Sequence, residues 1–333
     1  MKLRILLLSL LALSGPARAA DPGEHAIAIP PWFSETFLDF REDIRDAAKT
    51  GKRLMVYFGQ DGCPYCKELM QTNFSQKAIA DKARVHFVAI ALNIWGDREA
   101  TWTDGRRFSE KQLAAFLKVQ FTPTLLFFDE RGTVVARLNG YYPPHRFDAV
   151  LDYVAGRMEG RLSLAEYLKT AVKESASPAL HDEPFFLKPP YDLRRKGEKP
   201  LAVLFETRYC AACDELHREG FRRKEIRALL ERFDVARFAL GERTPVTTPA
   251  GEKLPAEDWA RSLGVAYTPS LVFFGTDGKE AFRIEAYLRP FHLQGSLDYV
   301  ASGAYLREPN FQRFLQIRAD EMRGRGEDID LWR

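Results

Sequence analysis

Cysteine is scarce in this chain: 333 residues carry four, as Cys63/Cys66 and Cys210/Cys213. Pairs two residues apart close almost no loop and add little chain-entropy stability, so their spacing suits redox chemistry or metal binding better than a structural staple. Histidine is scarce too, and the six present share no ligand spacing, which leaves no histidine-built metal site. Beyond the first twenty residues no stretch reaches eighteen apolar residues, so a membrane-spanning helix is not expected and the mature chain should be soluble. Net charge is missing as well. The formal +3 belongs to Lys2, Arg4 and Arg18, and without them 46 basic residues face 46 acidic ones. Such a balance gives no electrostatic case for nucleic acid or anionic lipid.

The first twenty residues read as a secretory signal peptide: Lys2 and Arg4, an apolar core from Leu6 to Leu13, and the small-x-small site Ala17-Arg18-Ala19. No Cys follows that core, so a lipoprotein anchor is not expected. The exported chain meets an oxidising compartment, the periplasm.

The remaining sequence repeats itself once. LMVYFGQDGCPYCKELMQTNF at 54 aligns with LAVLFETRYCAACDELHREGF at 201, FTPTLLFFDERG at 121 with YTPSLVFFGTDG at 267, and LDYVA recurs at 151 and 297. The offset is 147 residues at the cysteines and 146 afterwards. Each unit alternates between strand and helix patterns. In the first, a helix over 37–50 ends at Gly51. A strand over 54–58, a helix over 64–74, a strand over 85–92 and a helix over 110–119 follow. Strands over 124–129 and 134–138 form a hairpin, and a helix over 146–157 closes the unit. This order predicts an α/β fold with a central mixed sheet and helices on both faces. The second unit should repeat it from 201 to 300, with a leading helix kept short by Pro189 and Pro190. A helix over 163–174 precedes the linker, and a matching helix over 310–323 follows the second unit. The expected domains are 21–157 and 189–333, joined by a helix and linker over 158–188.

A Cys-x-x-Cys between a buried strand and a helix places its first thiol at the helix start, where unpaired N–H groups favour an anion. More of that thiol is then the attacking thiolate. The second thiol, less than a turn away, resolves the mixed disulfide. Pro64 suits the first helical position. Thr122-Pro123 and Thr268-Pro269 follow Cys63 and Cys210 by about sixty residues. A Pro that opens an apolar strand run predicts a cis bond, which leaves the backbone of the preceding Thr free to pair with an extended substrate. Two Cys pairs could also share a zinc ion, but 143 residues separate Cys66 from Cys210 in equivalent places of two units. Trp95 and Trp102 read as core packing, with a partner surface as the alternative.

Cys-x-x-Cys after a strand, then Thr-Pro before a Phe-Phe strand and a hairpin, resembles the thioredoxin superfamily, in tandem. The first unit is similar to periplasmic SoxW-like thioredoxins through DGCPYCKELMQTNF, LNIWGDREATWTDG, FTPTLLFFDERG and ARLNGYYPPHRF. The resemblance implies two thioredoxin-like folds, with Cys63 and Cys210 as nucleophiles and Cys66 and Cys213 as resolving thiols. It also implies substrate-facing loops at Thr122-Pro123 and Thr268-Pro269, no metal and no cofactor. The activity implied is reduction or isomerisation of disulfides in exported proteins, with electrons from a membrane-bound donor. A disulfide oxidase, or a soft-metal-binding or scaffold module, is the alternative. The buried Asp that cytosolic thioredoxins carry before the motif is replaced by Tyr57 and Leu204, and Glu206 is the candidate substitute in the second unit. The unlike central pairs, Pro64-Tyr65 and Ala211-Ala212, predict unlike potentials. Either one unit then passes electrons to the other, or the second mainly positions substrate.

Overall fold

The structure is a computed structural model that describes residues 26–172, 176–195, 199–265, 267–285 and 288–327. The expected signal peptide and its cleavage site lie outside the described residues.

In the first unit, α1 (Phe40–Lys49) is capped by Asp39, whose side chain accepts from the Arg41 N–H, and it stops before Gly51 at φ +73°. β1 (Arg53–Gly59) is buried along its whole length, as befits a central strand. α2 (Pro64–Glu68) continues into a π-helical turn over Leu69–Asn73. Next come α3 (Lys77–His86), β2 (Phe87–Asn93), a small hairpin of β3 (Glu99–Thr101) and β4 (Arg107–Ser109), and α4 (Glu110–Phe116). β5 (Thr124–Phe128), β6 (Val134–Asn139) and α5 (Pro144–Ala155) complete the unit, and α6 (Leu164–Ala171) follows.

The sheet order is β2-β1-β5-β6. β1 runs parallel to β2, with Tyr57 opposite Ala91, and antiparallel to β5, with Tyr57 opposite Leu125. Side chains alternate across it. Met55, Tyr57, Leu125 and Phe127 join the core under α2, α3 and α5. Leu54, Val56, Phe58, Leu126 and Phe128 join the core under α1 and α4.

The second unit repeats this plan. Its elements are β7 (Tyr191–Asp192), β8 (Leu201–Glu206), α7 (Ala211–Glu215) with a π turn over Leu216–Gly220, α8 (Lys224–Leu230), β9 (Asp234–Ala239), β10 (Pro245–Thr247), β11 (Lys253–Pro255), α9 (Ala256–Ser262), β12 (Ser270–Phe274), β13 (Glu280–Ile284), α10 (Pro290–Ala301) and α11 (Phe311–Gly324). The main sheet is β13-β12-β8-β9, again mixed, and a three-stranded sheet β11-β10-β7 lies beside it.

Two sequence expectations are corrected. The helix over 64–74 is a short α-helix plus a π turn. A separate helix, α3, follows it; only Ile79 and Ala83 are buried there, too narrow a stripe to stand out from the pattern. In place of a short leading helix, the described residues before β8 carry the strand β7, since Pro189 and Pro190 favour extended backbone. The segment from 31 to 40 also has a counterpart that the repeat alignment missed: Trp32-Phe33 and Phe185-Phe186 both pack on the core of their unit.

The units meet through equivalent surfaces. Phe121 and Tyr267, each just before a Thr-Pro, cross over. Phe121 packs on Phe282 and Phe311 of the second unit, and Tyr267 on Tyr142 of the first. Asn139 donates to Glu285, 146 residues on and in the same place of the other unit, at 2.6 Å.

Candidate functional site

β1 ends at Gly59, and the chain turns through Gln60–Gly62 into α2. That turn makes Cys63 the N-cap residue: its Sγ accepts from the Cys66 N–H at 3.0 Å, with Pro64 at the first helical position. Cys210 repeats the arrangement, with the Cys213 N–H at 3.1 Å. Both pairs are disulfides, with Cα atoms 5.2 Å apart in each. A thiolate at Cys63 or Cys210 would accept that N–H, which favours the anion.

The Thr-Pro loops come beside the cysteines. Thr122-Pro123 and Thr268-Pro269 are cis. The Thr122 hydroxyl lies 3.3 Å and its carbonyl 3.4 Å from Cys63 Sγ. The second unit is looser, with the Thr268 carbonyl 3.8 Å from Cys210 Sγ.

The two cysteines at the helix starts are about equally buried, Cys63 4% and Cys210 5% exposed, and their surroundings differ. Cys63 lies on a groove of about 1190 Å³ that also borders Gln60, Lys67, Trp95, Gln312 and Asp320. Residues 177–181 are tied to both flanks of the second motif. The Tyr209 N–H donates to the Ser177 carbonyl at 2.8 Å, the Ser177 N–H to Asp214 at 2.7 Å, and His181 Nε2 lies 2.6 Å from Asp214. A second cavity, about 690 Å³, lies between the units and borders Tyr65 of the first motif and Ala211 and Ala212 of the second.

Behind the cysteines the units diverge further. Tyr57 is buried in the same core as Cys63 and Cys66, and burial pushes its phenol far above the usual range, so it holds its proton. In the second unit Leu204 takes that position, and Glu206, buried, stands two residues on. His217 lies between two carboxylates, with Nε2 2.9 Å from Glu206 and Nδ1 2.9 Å from Glu183. Burial alone would lower the His217 pKa, but Glu206 and Glu183 outweigh it and raise it. Glu206 Oε2 is buried without a hydrogen-bond partner.

Sequence reasoning missed His217, Glu183 and Gln312. Only the mismatch with Met70, at the equivalent position, marked His217; nothing in spacing connects Gln60 with Gln312. Trp95 is more than packing, since its indole N–H donates to Gln60 at 2.6 Å. Among the described residues no three His, Cys, Asp or Glu side chains gather for a metal.

A mixed sheet flanked by helices, with a disulfide at a helix start beside a Thr-Pro loop, defines the thioredoxin-fold class of thiol-disulfide proteins. The family described as thioredoxin-like domain matches residues 40–155 and 192–301, and the chain belongs to it. Solved structures similar to parts of it include a thioredoxin-fold protein from Helicobacter pylori (26% identity, 42% of this chain and 91% of that one, TM-score 0.34). A thioredoxin from Thermus thermophilus is also similar (26%, 37% and 90%, TM-score 0.30), as is the C-terminal domain of DsbD from Neisseria meningitidis (13%, 31% and 82%, TM-score 0.24). Among curated proteins no match is found. Family and motifs together make the chain a thiol-disulfide oxidoreductase in the general sense.

Proposed function

We propose that this protein reduces or isomerises disulfides of exported proteins in the periplasm, with Cys63 as the attacking thiol and Cys66 as the resolving one. The observation that carries this reading is Cys63 Sγ on an open groove, within reach of the Cys66 N–H, the Thr122 hydroxyl and the Thr122 carbonyl.

The Cys63 thiolate attacks one sulfur of a substrate disulfide, and the other sulfur leaves as a thiolate that takes a proton from water. Cys66, once deprotonated, attacks Cys63 Sγ and releases the second substrate thiol. The substrate gains two electrons and the Cys63/Cys66 pair loses them. A dithiol donor restores the pair, and we assign that role to a membrane-bound protein. Substrate backbone lies along Thr122-Pro123. Export through residues 1–20, and domains at 21–157 and 189–333 with a connecting 158–188, belong to the same proposal. Among the described residues no helix is long and apolar enough to cross a membrane.

Insulin reduction driven by dithiothreitol tests the assignment: Cys63→Ser should fall to the uncatalysed rate, and equal rates for variant and parent would sink it. For the second unit the ties of residues 177–181 to Tyr209 and Asp214 favour another reading, a scaffold whose disulfide does not turn over; Cys210, Cys213, Thr268 and Pro269 then take no part in turnover. The redox state in growing cells separates reductase from oxidase, since a reductase keeps Cys63/Cys66 reduced.

A further inference from the structure

The side-chain amides beside Cys63 form a hydrogen-bond chain whose direction is fixed at both ends, and one link comes from the other unit. At one end the Trp95 indole N–H can only donate, and it lies 2.6 Å from Gln60 Oε1. The Gln60 amide nitrogen therefore faces away from Trp95. It donates to Gln312 Oε1 at 2.9 Å and to Thr122 Oγ1 at 3.2 Å. At the other end Gln312 Nε2 donates to the Gln120 carbonyl at 2.8 Å, and a carbonyl can only accept. Gln312 must then present its oxygen to Gln60. Because Thr122 Oγ1 accepts from Gln60, its own hydrogen is directed at Cys63 Sγ, 3.3 Å away.

Gln312 is the second residue of α11, 252 residues from Gln60, and is 8% exposed. Among the described residues the second centre has no such chain. Thr207 replaces Gln60, and its hydroxyl meets that of Thr268 at 3.2 Å with either atom able to donate. In α6, Ala165 stands where α11 has Gln312.

We propose that Gln312 is a positioning residue for the first centre: from the second unit it fixes Gln60, and through Gln60 it holds the Thr122 hydroxyl as a donor to the Cys63 thiolate. A donor aimed at the anion favours it over the thiol. The second unit thereby raises the thiolate fraction of the first, whatever its own cysteines do. This rests on the reading of Cys63 as the attacking thiol.

The test uses the full chain, reduced, with Cys210→Ser/Cys213→Ser so that only the first pair reacts. The pH profile of iodoacetamide alkylation at Cys63, followed by peptide mass, is compared for that parent, Gln312→Met and Thr122→Val. Gln312→Met keeps the volume and removes the amide. Each should move the profile to higher pH and slow alkylation at pH 6 by up to about tenfold, one pKa unit. The two together should slow it no more than Thr122→Val alone, because both act through one hydroxyl. An unshifted profile in either single variant, or additive shifts in the double, overturns the proposal. Should Gln312→Met fail to fold, Trp95→Phe removes the opposite anchor and must give the same shift. Alkylation needs no disulfide substrate, so a lost insulin assay with an intact shift sinks the reductase reading alone.

Discussion

His217 and Met70 hold the same place, four residues after the second cysteine of each pair, and their chemistry could hardly differ more. Met70 fills apolar space, whereas His217 bridges Glu206 and Glu183. A neutral imidazole donates from one nitrogen only, so two carboxylate partners favour the imidazolium. His217→Leu would leave Glu206 buried without its cation, while half-buried Glu183 keeps Arg227 at 4.0 Å, and we expect a loss of about 3–5 kcal/mol of stability. The pH dependence has a definite sign. With the folded pKa raised above the unfolded value, the stabilisation is complete below about pH 6.5 and fades as pH rises through the folded value. Urea unfolding of parent and variant at pH 6 and pH 9 checks this: the gap should narrow at pH 9, and a constant gap would contradict the imidazolium. At this scale the sequence exposed Cys63, Cys66 and the Thr-Pro pairs because motif and repeat mark them. Gln312 and Glu183 stayed hidden because each reaches its site from a remote segment.

The swap behind the cysteines is a property of strand β1 as much as of single residues. Tyr57 and Gly59 share a face of the strand, and the Tyr57 ring lies over Gly59 so closely that any Cβ there would overlap it. β8 solves the same space in reverse, with Leu204 followed by Glu206. Gly59→Ala should therefore cost about 1–3 kcal/mol of overpacking. Tyr57→Leu/Gly59→Ala should recover most of that relative to Tyr57→Leu alone, since the ring is the obstacle. Thermal or urea unfolding of the four proteins measures the coupling, and strictly additive losses would mean the obstacle lies elsewhere. Strands of this kind were legible: β1, β5, β8 and β12 are apolar runs buried on both faces, and the hairpin turns at Gly132 and Gly278 carry positive φ. α3 was not, because a helix that buries only Ile79 and Ala83 leaves little periodic signal. The π turns had no signature in either repeat.

Two thioredoxin-like units with unlike surroundings at their cysteines divide labour in one of two ways. Phe121 and Tyr267 dock each unit's Thr-Pro loop on the other, and both motif turns border the cavity between them. A relay would need the Cys63 and Cys210 sulfurs to reach bonding distance, about 2.05 Å. Cys63 and Cys210 are about equally buried, 4% and 5% exposed, so both would have to emerge, and residues 177–181 tie down Tyr209 and Asp214 on either side of Cys210. The scaffold division asks for no such approach: α11 already reaches the first centre through Gln312. The Cys210–Cys213 loop is too short for its disulfide to contribute much chain-entropy stability, so Cys210→Ala/Cys213→Ala should fold and keep dithiothreitol-driven insulin turnover within about twofold of the parent. The two potentials, measured separately in chains that each retain one pair, complete the test. A gap of about 30 mV would direct electrons tenfold one way, and it matters only if turnover with the physiological donor also collapses in the double variant. That collapse would put the second pair in the electron path; full turnover leaves the second unit as the wall and tuning partner of the first.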